Sequence, residues 1–198
     1  MDHVCSDCVQ IARILLYTFY LQRAQRGKWY GLFSSELTSI LFMASASEFD
    51  QRLREDWNEN RLNEAVFIFT TVVNNLFFAK IPCILFINKM DLLREKVAGE
   101  RPSNIAHYFP SFNDASLVTK YVNSFAGDPT DIDDVKMFIL FLFLEKVKNL
   151  GPNREKSGWK RQVYHHFTTA TDTNNIKLVF DSVKDSILRR NLNSLMLE

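Results

Sequence analysis

Asn88-Lys89-Met90-Asp91 stands directly after the apolar run CILFI at residues 83–87. A carboxylate at the carboxyl end of a strand sits where open α/β sheets bind ligands. Asp91 there accepts two hydrogen bonds from a guanine edge, one from N1–H and one from the exocyclic amine. Adenine offers no such donor pair. Lys89 carries an aliphatic stem long enough to lie over the base. A second element, Thr168-Thr169-Ala170-Thr171, also follows a strand-like run, VYHHFTT at 163–169. A backbone N–H in it donates to the guanine O6. The bland reading of each is a strand end followed by a helix cap.

His3-x-Cys5-x-x-Cys8 has ligand types for zinc, but a closed site takes four ligands and no second Cys pair follows. His165 and His166 are adjacent in a strand, so their rings are expected on opposite faces. The basic residues within 146–161 read as a solvated loop.

The elements that must position these groups alternate in type. Residues 37–44 contain an apolar run of strand length, with the strand itself at 39–44. Residues 60–78 read as one helix, with Leu62, Val66, Phe69 and Val73 three or four apart. Pro82 opens the strand 83–87, and 91–96 is a charged turn or short helix. Residues 102–127 are loop-rich. Residues 130–150 read as a buried helix, capped by Thr130 or Asp131, with Asp133 and Asp134 in its first turn and Lys146 and Lys148 in its last. Its middle, MFILFLFL, is apolar on every face, and only length and caps distinguish it from a strand. Residues 173–191 form an amphipathic helix with Ile176, Val179, Phe180, Val183 and Ile187 on one stripe. Helices alternating with doubly apolar strands predict an α/β fold with a parallel sheet.

Composition bounds the reading. With 198 residues the chain has room for one domain. Seventeen Phe supply ample core material, which excludes wholesale disorder. A net charge of +1 excludes whole-chain attraction to nucleic acid. Three Cys make no disulfide framework, so a reducing compartment, the cytoplasm, is expected. No apolar run approaches the ~18 residues that span a bilayer. The N-terminus lacks the basic region of a signal peptide, and Asp2 excludes myristoylation.

INKMDLLREKV and TTATDTNNIKLVFDSVKDSILRRNL resemble the guanine-recognition boxes and final helix of heterotrimeric G-protein alpha subunits. SILFMASASEFDQ, EDWNENRLNEAVFIFTTVVNN and the tail LNSLMLE resemble the twelve/thirteen class, and QRAQRGKWYGLF is similar to the family's second switch helix. The resemblance implies a partial Ras-like P-loop NTPase fold, a parallel sheet of three retained strands flanked by helices, without the family's inserted helical domain. It divides the chain into a divergent segment, 1–21, and the C-terminal half of a Ras-like domain, 22–198. It implies that Asn88, Lys89 and Asp91 read guanine, that Ala170 donates its N–H, and that Gln22 matches the glutamine orienting the attacking water. Arg23, Arg26, Lys28 and Trp29 match the switch helix. The implied ligands are GTP and GDP with Mg²⁺. The implied partners are a G protein-coupled receptor at the C-terminal helix, a beta-gamma dimer and RhoGEF-type effectors. The implied place is the cytoplasm, at the inner face of the plasma membrane. N-terminal palmitates in the family make Cys5 and Cys8 candidates for acylation.

The departures are as specific. None of the six Gly has Asp three places before it, so no D-x-x-G occurs. No G-x-x-x-x-G-K-[ST] occurs, and the one Gly-Lys pair, Gly27-Lys28, has Gln22 five places before it. That loop supplies the N–H cradle, the phosphate lysine and the Mg²⁺ hydroxyl. The arginine and threonine of the first switch have no counterpart. We therefore expect no tight binding of GTP or GDP and no hydrolysis. A nucleotide-free receptor-interaction module and a non-functional fragment stand as alternatives to a signalling subunit. In the family the strand that carries the phosphate loop lies beside the counterpart of 39–44. Residues 14–21 are expected to pair with that edge or to lie over it as a helix.

Overall fold

The computed structural model describes residues 39–79, 81–100, 102–114, 116, 118, 125–147 and 163–169. Three strands, β1 (Ile40–Ser45), β2 (Cys83–Asn88) and β3 (Val163–Phe167), form a parallel sheet in the order β1-β2-β3. Ile40 pairs with Cys83, and Cys83 in turn with Val163. Helix α1 (Arg61–Val73) lies between β1 and β2 in the chain. Helices α2 (Met90–Ala98), α3 (Ile105–Tyr108) and α4 (Ile132–Leu144) lie between β2 and β3. Among the described residues β1 pairs with β2 alone. Residues 14–21 and the stripe of 173–191 fall outside them.

β2 is the central strand, and five of its six residues are buried. That is why CILFI reads as a continuous apolar run rather than an alternating one. Cys83, Leu85 and Ile87 enter the main core with Phe69, Leu93 and Phe138. Ile84 and Phe86 face the other way, beside Leu41 and Tyr164. The Cys83 thiol is buried.

The phenylalanines knit the main core edge to face. Phe69 meets Phe42 at 5.2 Å and Phe143 at 5.3 Å between ring centroids. Phe138 meets Phe112 at 5.1 Å and Phe109 at 6.0 Å. Such pairs add about 0.5–1.5 kcal/mol each beyond their buried area.

Two helices differ from the sequence expectation at their ends. The expected helix 60–78 is capped by Asn60, whose Oδ1 accepts from the N–H of Leu62 at 2.8 Å. It stops at Val73. Asn75 then caps a separate 3-10 turn, Leu76–Phe78, through the N–H of Phe77. Asn side chains compete for backbone N–H groups in this way and break helices. The expected helix 130–150 starts as read, with Asp131 accepting from Asp133 N–H at 2.9 Å. It ends at Leu144, short of Lys146, and Lys148 lies outside the described residues. The Asn74 amide donates to the Lys146 carbonyl at 2.8 Å, a tertiary contact just past the helix end. The charged stretch 91–96 is a nine-residue helix, α2. The loop-rich stretch 102–127 holds α3 and a 3-10 turn, Pro110–Asn113.

Asp134, buried in the first turn of α4, organises the approach to that helix. Its carboxylate accepts the Ala126 N–H at 3.1 Å and the Asp128 N–H at 2.8 Å. Gly127 between them has φ +80°, a left-handed geometry that aims both N–H groups at one anion. The Thr130 hydroxyl and N–H hydrogen-bond Asp128 in turn and hold its carboxyl below the usual carboxylate range.

Candidate guanine-recognition site

The site lies at the carboxyl edge of the sheet. Asn88 ends β2, and Lys89 turns the chain into α2 with φ 64° and ψ 41°. Lys89 is the one non-glycine residue with positive φ among those described. A left-handed residue between strand and helix costs on the order of 1–3 kcal/mol unless its surroundings fix it.

Those surroundings come from β3 and from the turn after β1. The Thr168 N–H donates to the Ile87 carbonyl at 2.9 Å, and the Met90 N–H donates to the Thr168 carbonyl at 3.3 Å. The Thr168 hydroxyl donates to Asn88 Oδ1 at 3.1 Å. Asn88 Nδ2 lies 3.7 Å from the sulfur of Met43 in β1. Met43 of β1 and Thr168, just past β3, thus flank the Asn88 side chain. Lys89 Nζ pairs with Glu48 Oε1 at 2.9 Å. Asp91 is exposed in the first turn of α2, where the helix dipole favours a carboxylate.

The sequence-predicted residues Asn88, Lys89 and Asp91 therefore share one turn, and Thr168 lies across from it. Gln22, Ala170, the switch-helix matches and His3, Cys5 and Cys8 fall outside the described residues. Two contributors went unread in the sequence. Thr168 was noted for its backbone, whereas its hydroxyl orients Asn88. Glu48 was not singled out. Its signal was position, an acid just past the carboxyl end of the neighbouring strand.

His165 and His166 lie on opposite faces of β3, as alternation predicts. His166 stacks on Phe86 at 5.7 Å, and His165 meets Phe167 edge-on at 6.2 Å. Burial pushes both imidazoles below their ordinary value, and the His166 charge adds to the effect on His165. No group of three or more His, Cys, Asp or Glu side chains among the described residues is placed to hold a metal ion.

The family model of the G-protein alpha subunit matches residues 9–187. This chain belongs to the G-protein alpha subunit family. It is 44% identical over 177 residues to guanine nucleotide-binding protein subunit alpha-12 of Rattus norvegicus. It is 45% identical over 177 residues to subunit alpha-13 of Mus musculus. It is 40% identical over 177 residues to the alpha-12 subunit of Caenorhabditis elegans. Each comparison covers 89% of this chain and 40–42% of the relative, so this alpha-subunit chain spans about 40% of the relatives' length. The three-stranded parallel sheet with its helices is a partial P-loop NTPase fold. The Asn88 turn sets three kinds of group side by side at the sheet's carboxyl edge. Asp91 supplies an exposed carboxylate, Asn88 an amide already oriented by two strands, and Lys89 an apolar stem.

Proposed function

We propose that this chain recognises the guanine base through Asn88, Lys89 and Asp91, with the Ala170 N–H as the contact to O6, and acts as a transducer in G protein-coupled receptor signalling. The observation that supports it most is the Asn88 side chain held by Thr168 at the carboxyl edge of the sheet. Asp91 offers two charge-assisted hydrogen bonds, roughly 3–6 kcal/mol gross. Immobilising the ligand offsets much of that. A net of ~4 kcal/mol corresponds to a Kd of about 1 mM.

The test is calorimetry of the purified chain with guanosine, adenosine, GDP and GTPγS, with Mg²⁺ present. The proposal expects weak binding of the guanine compounds over adenosine. Equal uptake of guanosine and adenosine overturns the base reading, and micromolar GDP or GTPγS overturns the weak affinity. Phosphoryl transfer depends on positioning and charge neutralisation by the phosphate loop and Mg²⁺. We therefore propose that Gln22, matched by resemblance to the catalytic glutamine, drives no hydrolysis here. Single-turnover hydrolysis that Gln22→Leu abolishes overturns that.

The proposal extends to the receptor end. Residues 173–191 and the tail with Leu195, Met196 and Leu197 fit helix-in-groove recognition. A peptide of residues 180–198 is expected to compete at receptors coupled to the family. A beta-gamma dimer and RhoGEF-type effectors are the further partners proposed, at the inner face of the plasma membrane. The proposed division is 1–21 as a divergent segment and 22–198 as the C-terminal half of a Ras-like domain.

A second reading, a receptor-interaction module that takes no nucleotide, is supported by one observation. Within these 198 residues no G-x-x-x-x-G-K-[ST] occurs. Peptide competition without guanosine binding selects it.

A further inference from the structure

We infer that Glu48 is a positioning residue for the guanine-recognition turn, holding Lys89 in place from the neighbouring strand. The inference rests on the guanine reading of that turn and adds a residue to it.

Glu48 belongs to a 3-10 turn, Ala46–Glu48, directly after β1. Its carboxylate is the more enclosed member of the pair, 19% exposed against 44% for the Lys89 side chain. One oxygen takes the Lys89 ammonium at 2.9 Å, and the other lies 3.5 Å from Arg61 Nη1. Arg61 is itself fixed by Gln51 Oε1 at 2.9 Å. A second ion pair runs parallel to the first, between Asp50 and Lys96 of α2, and the Lys96 ammonium lies 5.7 Å from the centre of the buried Phe49 ring. Residues 48–50 thus grip the start and the end of α2.

Lys89 has a left-handed backbone and a long side chain with four rotatable bonds. With its ammonium tied to Glu48, the stem is held along the carboxyl edge, toward β1. A base that stacks on the stem then meets a fixed wall rather than a mobile one. Arg61 keeps Glu48 aimed. The role is distinct from the Thr168 contact, which acts on Asn88 from the opposite strand.

The experiment is a double-mutant cycle with a probe that needs no phosphate contacts. Guanosine binding is measured by ligand-observed NMR for the full chain, Glu48→Gln, Lys89→Met and the double variant. Thermal melting is recorded for each. Half-exposed ion pairs carry small energies, so Glu48→Gln is expected to weaken guanosine binding about two- to fivefold. In the Lys89→Met background the same change is expected to do nothing, because the residue it acts through is gone. Glu48→Asp is expected to restore part of the loss. An equal loss in both backgrounds, or no loss with Lys89 present, overturns the inference.

A ligand-free arm separates this inference from the guanine reading. Acylation of lysines with an amine-reactive ester, read residue by residue by mass spectrometry, is expected to speed up at Lys89 in Glu48→Gln and to stay unchanged at Lys96. Unchanged labelling at Lys89 overturns the positioning role whatever guanosine does. Faster Lys89 labelling in a chain that takes up no guanosine leaves the Glu48 grip standing and overturns the guanine reading alone.

Discussion

The Thr168 hydroxyl donates to the side-chain oxygen of Asn88 at 3.1 Å, joining residues 80 apart in the chain. A single bond therefore sets which atom of the Asn88 amide faces the open edge of the site. With Oδ1 taken by Thr168, the NH₂ points toward Met43 and the outside. Thr168→Val keeps the shape and removes the donor. Thr168 is nearly buried, so we expect a stability loss of about 1 kcal/mol in urea unfolding and a weaker grip on guanosine.

Asp134→Asn tests the anion nest at the start of α4. The carboxylate accepts from both Ala126 and Asp128 N–H groups, and an amide placed there presents a donor to donors. We expect a loss of about 2–3 kcal/mol, the range for hydrogen bonds to a charged group at a buried site. Chemical denaturation checks it, with Asp133→Asn as the exposed control on the same turn.

Gly99 ends α2. A Cβ built there lies 2.1 Å from the Glu95 carbonyl oxygen, a backbone atom that gives way only by moving the helix end. Gly99→Ala is therefore expected to destabilise by about 1–3 kcal/mol, read as a lower unfolding midpoint at unchanged denaturant slope.

The paired histidines of β3 set a pH dependence of stability. Both have native values pushed below 6.5 by burial. As the pH falls past 6.5 the unfolded chain takes up protons that the native chain still refuses. Unfolding then binds protons, so stability falls with pH until the lowered native values are reached and levels off beneath them. Above 6.5 the two rings add no slope. Both rings contribute, His165 through burial and the His166 charge, His166 through burial against Phe86. The drop in Tm between pH 7.5 and 5.5 is expected to narrow in His166→Gln.

The strands and the placement of the Asn88 turn at the carboxyl edge were legible because they are written locally. CILFI followed by N-K-x-D carries both a buried strand and the turn at its carboxyl end in nine consecutive residues. Asp131 and Asn60 announce helix starts by the same local logic. What was not legible depends on distant chain. The chain just past α4 meets Asn74 at Lys146, a contact that nothing near Lys146 records. The break after Val73 was hidden because apolar spacing continues through Leu76 and Phe77 while the paired Asn74 and Asn75 stop the helix. Glu48 was unreadable as a site residue until the register placed the end of β1 beside the end of β2.

The parallel sheet also has a consequence for the timing of synthesis. Every pairing in it is non-local, and the contact that orients Asn88 spans 80 residues. A ribosome adding about 5–20 residues per second makes the Asn88 turn several seconds before Thr168 exists. During that interval one edge of β2 is exposed and the recognition turn has no far wall. Nascent chains stalled before residue 163 should therefore engage holdase chaperones, and release should coincide with the emergence of β3.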